Sequence, residues 1–193
     1  MGGRYRRGDT LIELVLAFAI FSIAAISALA VMNRGIALSQ HSLETTLVRQ
    51  QMDSQAETIR YLRDTSSPLW DTIKNHADNN TKIAPLSPST CPQASDIAAV
   101  ANGHNGFFVG RDTGTGEFTI VDVDNANYSQ PSRYAQIDRD ARRAYGLWVQ
   151  AARAEDGNQA VKAYDIYIHA CWESVAMTNV PATLGTIVRI YDK

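Results

Sequence analysis

The sequence predicts an α+β fold: one long N-terminal α-helix, membrane-spanning in its first half and amphipathic in its second, packed on a small antiparallel β-sheet. Three observations predict it. Leu14 to Met32 is apolar and carries no charge. Beyond Met32, apolar residues recur at helical intervals to about Asp64. From Asn105 onward the pattern changes to short apolar runs separated by glycine-rich or Asp-Gly turns, the signature of hairpins.

The first helix is the most informative element. At about 1.5 Å per residue, Leu14–Met32 covers about 28 Å, close to the hydrocarbon core of a bilayer. Arg4, Arg6 and Arg7 precede it, and by the positive-inside tendency they hold that end in the cytoplasm and send the remainder out. A secretory signal peptide also places arginines before an apolar run, but its apolar region spans only about 7–15 residues and ends at a cleavage site. Here the run is longer, and the polar stretch after it reads as continuing helix. A plain signal anchor fits the length and leaves Glu13 without a task. An acid inside a spanning helix costs on the order of 3 kcal/mol, which marks Glu13 as a functional residue. The residues alone also allow a near-interface acid favoured by the positive helix N-terminus.

The segment RRGDTLIELVLAFAIFSIAA resembles the class III leader and N-terminal helix of type IV pilins and type II secretion pseudopilins. The likeness rests on a basic leader, a glycine, a T-L-I-E core and an apolar helix in that order, over roughly the first quarter of the chain. It implies that a prepilin peptidase cuts between Gly8 and Asp9, and that Thr10, Leu11, Ile12 and Glu13 form the assembly core. It further implies that the glutamate pairs with the N-terminal ammonium of a neighbouring subunit, so that a buried ion pair sets axial register. Asp9 stands where the family usually has phenylalanine or methionine, often N-methylated. The proline that many major pilins carry mid-helix is absent, with Ser27 and Ala30 near that region.

On this reading residues 1–8 are a leader, 9–32 the membrane and filament-core helix, 33–64 its amphipathic continuation and 65–193 an extracytoplasmic head. Leu43, Leu47, Met52, Ala56, Ile59 and Leu62 form the continuation's apolar stripe, with Glu44, Arg49, Asp53, Glu57 and Arg60 on the other faces. Thr65-Ser66-Ser67-Pro68 ends the helix, because the residue before proline avoids the α region. Prolines and Asn79-Asn80 make residues 68–105 irregular, apart from a short helix around Leu69–His76. This polar segment matches the flank that decorates the filament in pilins, a place for partner contacts.

Four to five antiparallel strands follow. GFFVG and EFTIVDV form one hairpin, and YGLWVQAARA and AVKAYDIYIHACWES a second, turned at Asp156-Gly157. LGTIVRIYDK supplies the last strand. One face, made of Leu147, Val149, Ile166, Ile168 and Ile187, packs on the helix stripe. Asp124 to about Arg143 reads as a polar connection. The later strands also resemble minor-pilin heads, more loosely than the leader does. Cys91 and Cys171 both lie in the exported part, where an even count favours a disulfide, the alternative being two separately buried thiols. Neither belongs to a C-x-x-C pair of the kind that holds metal.

Chemistry beyond assembly finds little support. The formal charge is −2, and loss of the leader's arginines makes the chain more acidic still, which argues against a mainly electrostatic nucleic-acid binder. The arginines at 133, 139, 142 and 143 are interleaved with Asp138 and Asp140 and read as a solvated face. His41, His76, His104 and His169 are scattered without metal-ligand or base–nucleophile spacing, and His169 reads as a surface or satisfied core histidine. Asp122, Asp124, Asn125 and Asn127 offer oxygens but lack the glycine and distal glutamate of an EF-hand loop. The expectation is a structural subunit with no catalytic residues, metal or cofactor. Its partners are other pilin subunits, the prepilin peptidase, the inner-membrane assembly machinery and the membrane. A pseudopilin, or a membrane-anchored binding protein that never polymerises, is the alternative.

Overall fold

The chain's first helix, α1, runs from Asp9 to Asp64 in a computed structural model. The structure describes residues 9–80, 82–86, 89–98, 106–112, 114–131, 133–138, 142–154, 162–177 and 180–192, with no account of the side chains at 9 and 10. Asp156-Gly157 and His104 lie outside the described residues. The chain divides into two compact units, Met1–Gln40 and His41–Lys193.

The stop at Asp64 has a more specific cause than the proline. Ser66 adopts φ 50, and the Ser67 amide donates to the Leu62 carbonyl at 3.0 Å, which closes the last turn with a left-handed cap. Ser67 then caps α2 (Pro68–Asn79), its hydroxyl accepting from the Leu69 amide, with Pro68 in the first turn where no amide proton is needed. One further turn, α3 (Ala94–Ile97), interrupts the irregular segment.

Among the described residues eight strands follow: β1 (Gly106–Arg111), β2 (Phe118–Asp122), β3 (Tyr128–Ser129), β4 (Gln136–Asp138), β5 (Arg143–Tyr145), β6 (Leu147–Ala154), β7 (Ala163–Trp172) and β8 (Ala182–Tyr191). The main sheet is antiparallel in the order β2-β1-β6-β7-β8. A second sheet, β3-β5-β4, lies in the stretch read as a polar connection. Its strands are two or three residues long, too short for alternation to reveal them.

Directly opposite residues of an antiparallel pair share a face. One face therefore carries Phe107, Val149, Ile168, Ile166 and Tyr164. The C-terminal part of α1 covers it with Val48, Met52, Ala56, Ile59 and Leu62, and α2 adds Trp70 and Ile73, all buried. Trp70 meets Tyr164 edge-on at 5.7 Å, and His76 lies 4.9 Å from Phe107. Two expectations change here. Leu43 is 60% exposed, and Val48 takes its place in the stripe. Ile187 is 61% exposed because its register partner is Tyr167, which puts it on the opposite face from Ile166 and Ile168.

That opposite face is covered as well. Trp148, Gln150, His169 and Cys171 lie beneath residues 82–86 and 89–97 and the small sheet. The Ala84 amide donates to Gln150 Oε1 at 2.9 Å, Tyr128 meets Trp148 edge-on at 6.3 Å, and Cys91 is bonded to Cys171. Gly146 links the two sheets at φ 63, where a Cβ would lie 2.2 Å from the Cys171 carbonyl, so only glycine fits.

Buried glutamine completes the main sheet where a strand is missing. β1 pairs with β6 only at Gly106 and Phe107. Further along, the Val109 amide donates to Gln55 Oε1 and its carbonyl accepts from Gln55 Nε2, both at 2.9 Å. A helix side chain thus stands in for a strand and leaves no orphaned backbone pair.

Candidate functional site

The residues singled out for processing and assembly lie at the start of α1. Gly8 is outside the described residues. Asp9 and Thr10 form the first helical positions, and Leu11, Ile12 and Glu13 follow with exposed side chains. An acid in a first turn is favoured by the helix dipole. The helix repeat places Asp9 and Glu13 four residues apart, on one side of the helix.

From Leu14 to Asn33 no charge interrupts the surface until Arg34. Leu14, Val15, Leu16, Phe18, Ile20 and Phe21 are each 57–70% exposed. Two serines in the run hide their polarity: Ser22 donates to the Phe18 carbonyl and Ser27 to the Ile23 carbonyl, each at 2.7 Å. Such back-bonding spares a hydroxyl from needing water in an apolar medium. This N-terminal helix is long and apolar enough to span a membrane.

In the second unit, contacts that spacing did not reveal tie α1 to the sheet. His41 Nδ1 lies 3.0 Å from Ser174 Oγ, and Glu44, placed by the sequence on an outer face, accepts from Trp172 Nε1 at 3.1 Å. No spacing rule finds partners 128 or 133 positions apart. Ser174 is buried and its oxygen also faces the Ala176 amide, so the His–Ser contact clamps the β7–β8 connection to the helix. A cleft of about 610 Å³ beside Cys91 is lined by Gln93, Asp96, Gln130, Glu173, Met177 and Val180 among others. Its Asp96 is engaged by the Gln93 amide at 2.8 Å.

Of the loop acids, Asp124 serves its own backbone and Asp122 faces His76. Asp124 Oδ1 accepts from the Ala126 and Asn127 amides, and Asn127 donates to the Asp122 carbonyl. Among the described residues no group of three or more His, Cys, Asp or Glu side chains is placed to hold a metal ion. Of the arginine group, Arg142 pairs with Asp112 and Arg143 donates to the Ala126 carbonyl. Arg139 and Asp140 are outside the described residues.

His169 departs from its expected state. It is buried between Trp148 and Tyr167, stacked on both, and neither ring nitrogen has a hydrogen-bond partner. Burial holds its pKa down at about 4, against an ordinary 6.5. Burial also lowers His76, opposed by Asp122 at 3.2 Å. Between pH 6.5 and 4 the unfolded chain takes up a proton that folded His169 refuses. Its contribution is therefore fully present above pH 6.5 and is lost as the pH falls towards 4, by on the order of 3 kcal/mol. His169→Phe should flatten this acid limb, as measured by urea midpoints at about pH 4.5 and about pH 7.5. An unchanged pH dependence in the variant would remove His169 from the account.

No protein-family model, curated protein or solved structure matches the chain.

Proposed function

We propose that the chain is a prepilin whose mature form is a structural subunit, a minor pilin, of a type IV pilus-like filament. The observation that carries the proposal is the order of features at the N-terminus. Arg4, Arg6, Arg7 and Gly8 precede Asp9-Thr10-Leu11-Ile12-Glu13, which opens an apolar helix whose side chains are exposed.

Each part has a physical task. Before assembly the apolar surface is solvated by lipid, and the arginines retain the N-terminus on the cytoplasmic side. Prepilin peptidase hydrolyses the Gly8–Asp9 bond and leaves an ammonium on Asp9. The assembly machinery then transfers the helix from lipid into a bundle of like helices, where close packing against neighbouring side chains replaces contact with lipid tails. Glu13 would be costly there without a counter-charge, and a neighbour's new ammonium supplies one. The pair forms only at one axial offset, so it sets register. On this reading the head provides contact surfaces and needs no catalytic group.

Intact mass of the protein from cells with and without the peptidase tests the proposal. The expected product in peptidase-positive cells lacks residues 1–8 and begins at Asp9, and the same spectrum shows whether Asp9 carries an extra methyl group. An untrimmed chain in those cells would leave a signal-anchored protein, and the filament reading would fall.

A further inference from the structure

On the face of the main sheet opposite α1, burial and hydrogen bonding are at odds. Among the described residues, five buried polar atoms lie on that face or against it without a hydrogen-bond partner. They are Trp148 Nε1, Gln150 Nε2, both ring nitrogens of His169 and Tyr128 Oη. Of the described sheet residues that face α1 and α2, none has such an atom. A polar atom left unpaired in the interior costs stability, so this layer gains more from exposure than the α1 side does.

His169 is the member that takes up a proton. Its ring stacks 5.3 Å from Trp148 of β6 and 6.2 Å from Tyr167 of its own strand. Disulfide-bonded Cys171 lies two residues further on, on the same face. Opposite on β8 stands Gly185, where a Cβ would lie 3.3 Å from Leu86 Cδ1 and 3.5 Å from His169 Nδ1. Leu86 therefore sits beside the ring, and it belongs to residues 82–86, which cover this face. None of these neighbours carries a charge. Lys82, the one charged residue of the cover, is exposed. Further along the face Asp165 and Arg189 bond each other, and Asp96 acts on the Tyr128 hydroxyl. Burial alone displaces the ring's pKa, with no carboxylate or cation among the described residues acting on it.

We propose that protonation of His169 lifts residues 82–86 from the main sheet while the sheet itself stays folded. A charge on the covered ring has neither counter-ion nor acceptor, whereas the open form gives both nitrogens to water. The cover is the part that yields. It lies against the sheet through side-chain bonds such as Ala84 to Gln150, with Asn80 on the Ala151 carbonyl just before it, among other contacts. The sheet beneath is held by continuous ladders between β6, β7 and β8, and α1 and α2 pack on its other face. The Cys91–Cys171 bond pins the far end, so the opening is confined between Asn80 and Cys91. Lifting the cover also bares Trp148 and Gln150, a surface that neutral pH keeps buried. The inference draws on the second unit alone and stands apart from the filament reading.

Hydrogen exchange on the full chain in detergent micelles, read residue by residue by NMR, is the test. Each amide's rate is divided by its intrinsic rate at the same pH to give its protection. Protection of the Ala84 amide is expected to fall on the order of 50-fold from about pH 7.5 to about pH 4.5. That factor follows from a ring pKa of about 4 when covered and 6.5 when exposed. The β7 amides should be at least tenfold better protected than Ala84 at both values, and urea well below the midpoint should weaken theirs alone. His169→Phe should remove the acid fall at Ala84. His169→Gln, which keeps a polar side chain that does not titrate, should do the same. Protection at Ala84 that does not fall with acid, exchange there with the protection and urea dependence of β7, or a fall that persists in either variant, would each overturn the proposal.

Discussion

Breaking the Cys91–Cys171 disulfide is expected to cost the second unit about 4 kcal/mol, which corresponds to a fall of roughly 10 °C in its melting temperature. The bond closes a loop with a sequence separation of 80, so its removal restores much conformational freedom to the unfolded chain. There is a structural reason to expect the full effect. The described residues 82–86 and 89–97 are anchored to the sheet by, among other contacts, the Ala84 amide on Gln150 and Cys91 itself, with the Asn80 side chain on the Ala151 carbonyl just before them. That segment keeps water from Trp148 and His169, whose buried nitrogens have no hydrogen-bond partners. Urea midpoints with and without reductant measure the effect. A Cys91→Ala/Cys171→Ala variant should match the reduced protein and show no further response to reductant. A midpoint that does not move on reduction would show that packing alone holds the segment.

The sequence made legible those parts of the fold governed by local rules. The end of α1 at Asp64 follows from a helical stripe that meets Thr65-Ser66-Ser67-Pro68, and the strands from Leu147 to Tyr191 follow from apolar runs between turns. Features set by partners distant in sequence were hidden. Gln55 looks like an ordinary polar helix residue until Val109 arrives opposite it, and Glu44 looks solvent-facing until Trp172 does. Ile187 lies on the face opposite to the one its apolar character suggests, because apolar character alone does not give parity. Parity comes from the β7–β8 register, in which it meets Tyr167. The small β3-β5-β4 sheet leaves no trace in the sequence pattern because its strands have too few residues to alternate. For the assembly site the situation is reversed. Thr10 to Glu13 stand out as a motif, while the structure shows only that Leu11, Ile12 and Glu13 are exposed on the helix surface; their proposed task depends on a second chain.

Glu13→Ala is expected to leave export and membrane level intact and to reduce assembled filament more than tenfold. The two halves of this expectation come from opposite environments. In the bilayer the glutamate is a liability on the order of 3 kcal/mol if it sits deep, so alanine should enter the membrane at least as well. In the proposed helix bundle the same carboxylate would have a task, neutralising an ammonium that would otherwise be buried unpaired. Breaking one side of a buried pair costs about 3–5 kcal/mol, and each added subunit would carry that cost. Glu13→Gln separates charge from shape, since the amide retains volume and hydrogen bonding but cannot neutralise an ammonium; it should assemble as poorly as alanine. Glu13→Asp keeps the charge on a shorter arm and should assemble partially. The measurement is sheared surface filament against total membrane-held protein, with peptidase trimming followed in the same samples. Normal filament from Glu13→Ala would mean that Glu13 is an interfacial acid, held by the helix dipole and headgroups, and that register is set elsewhere along the apolar helix.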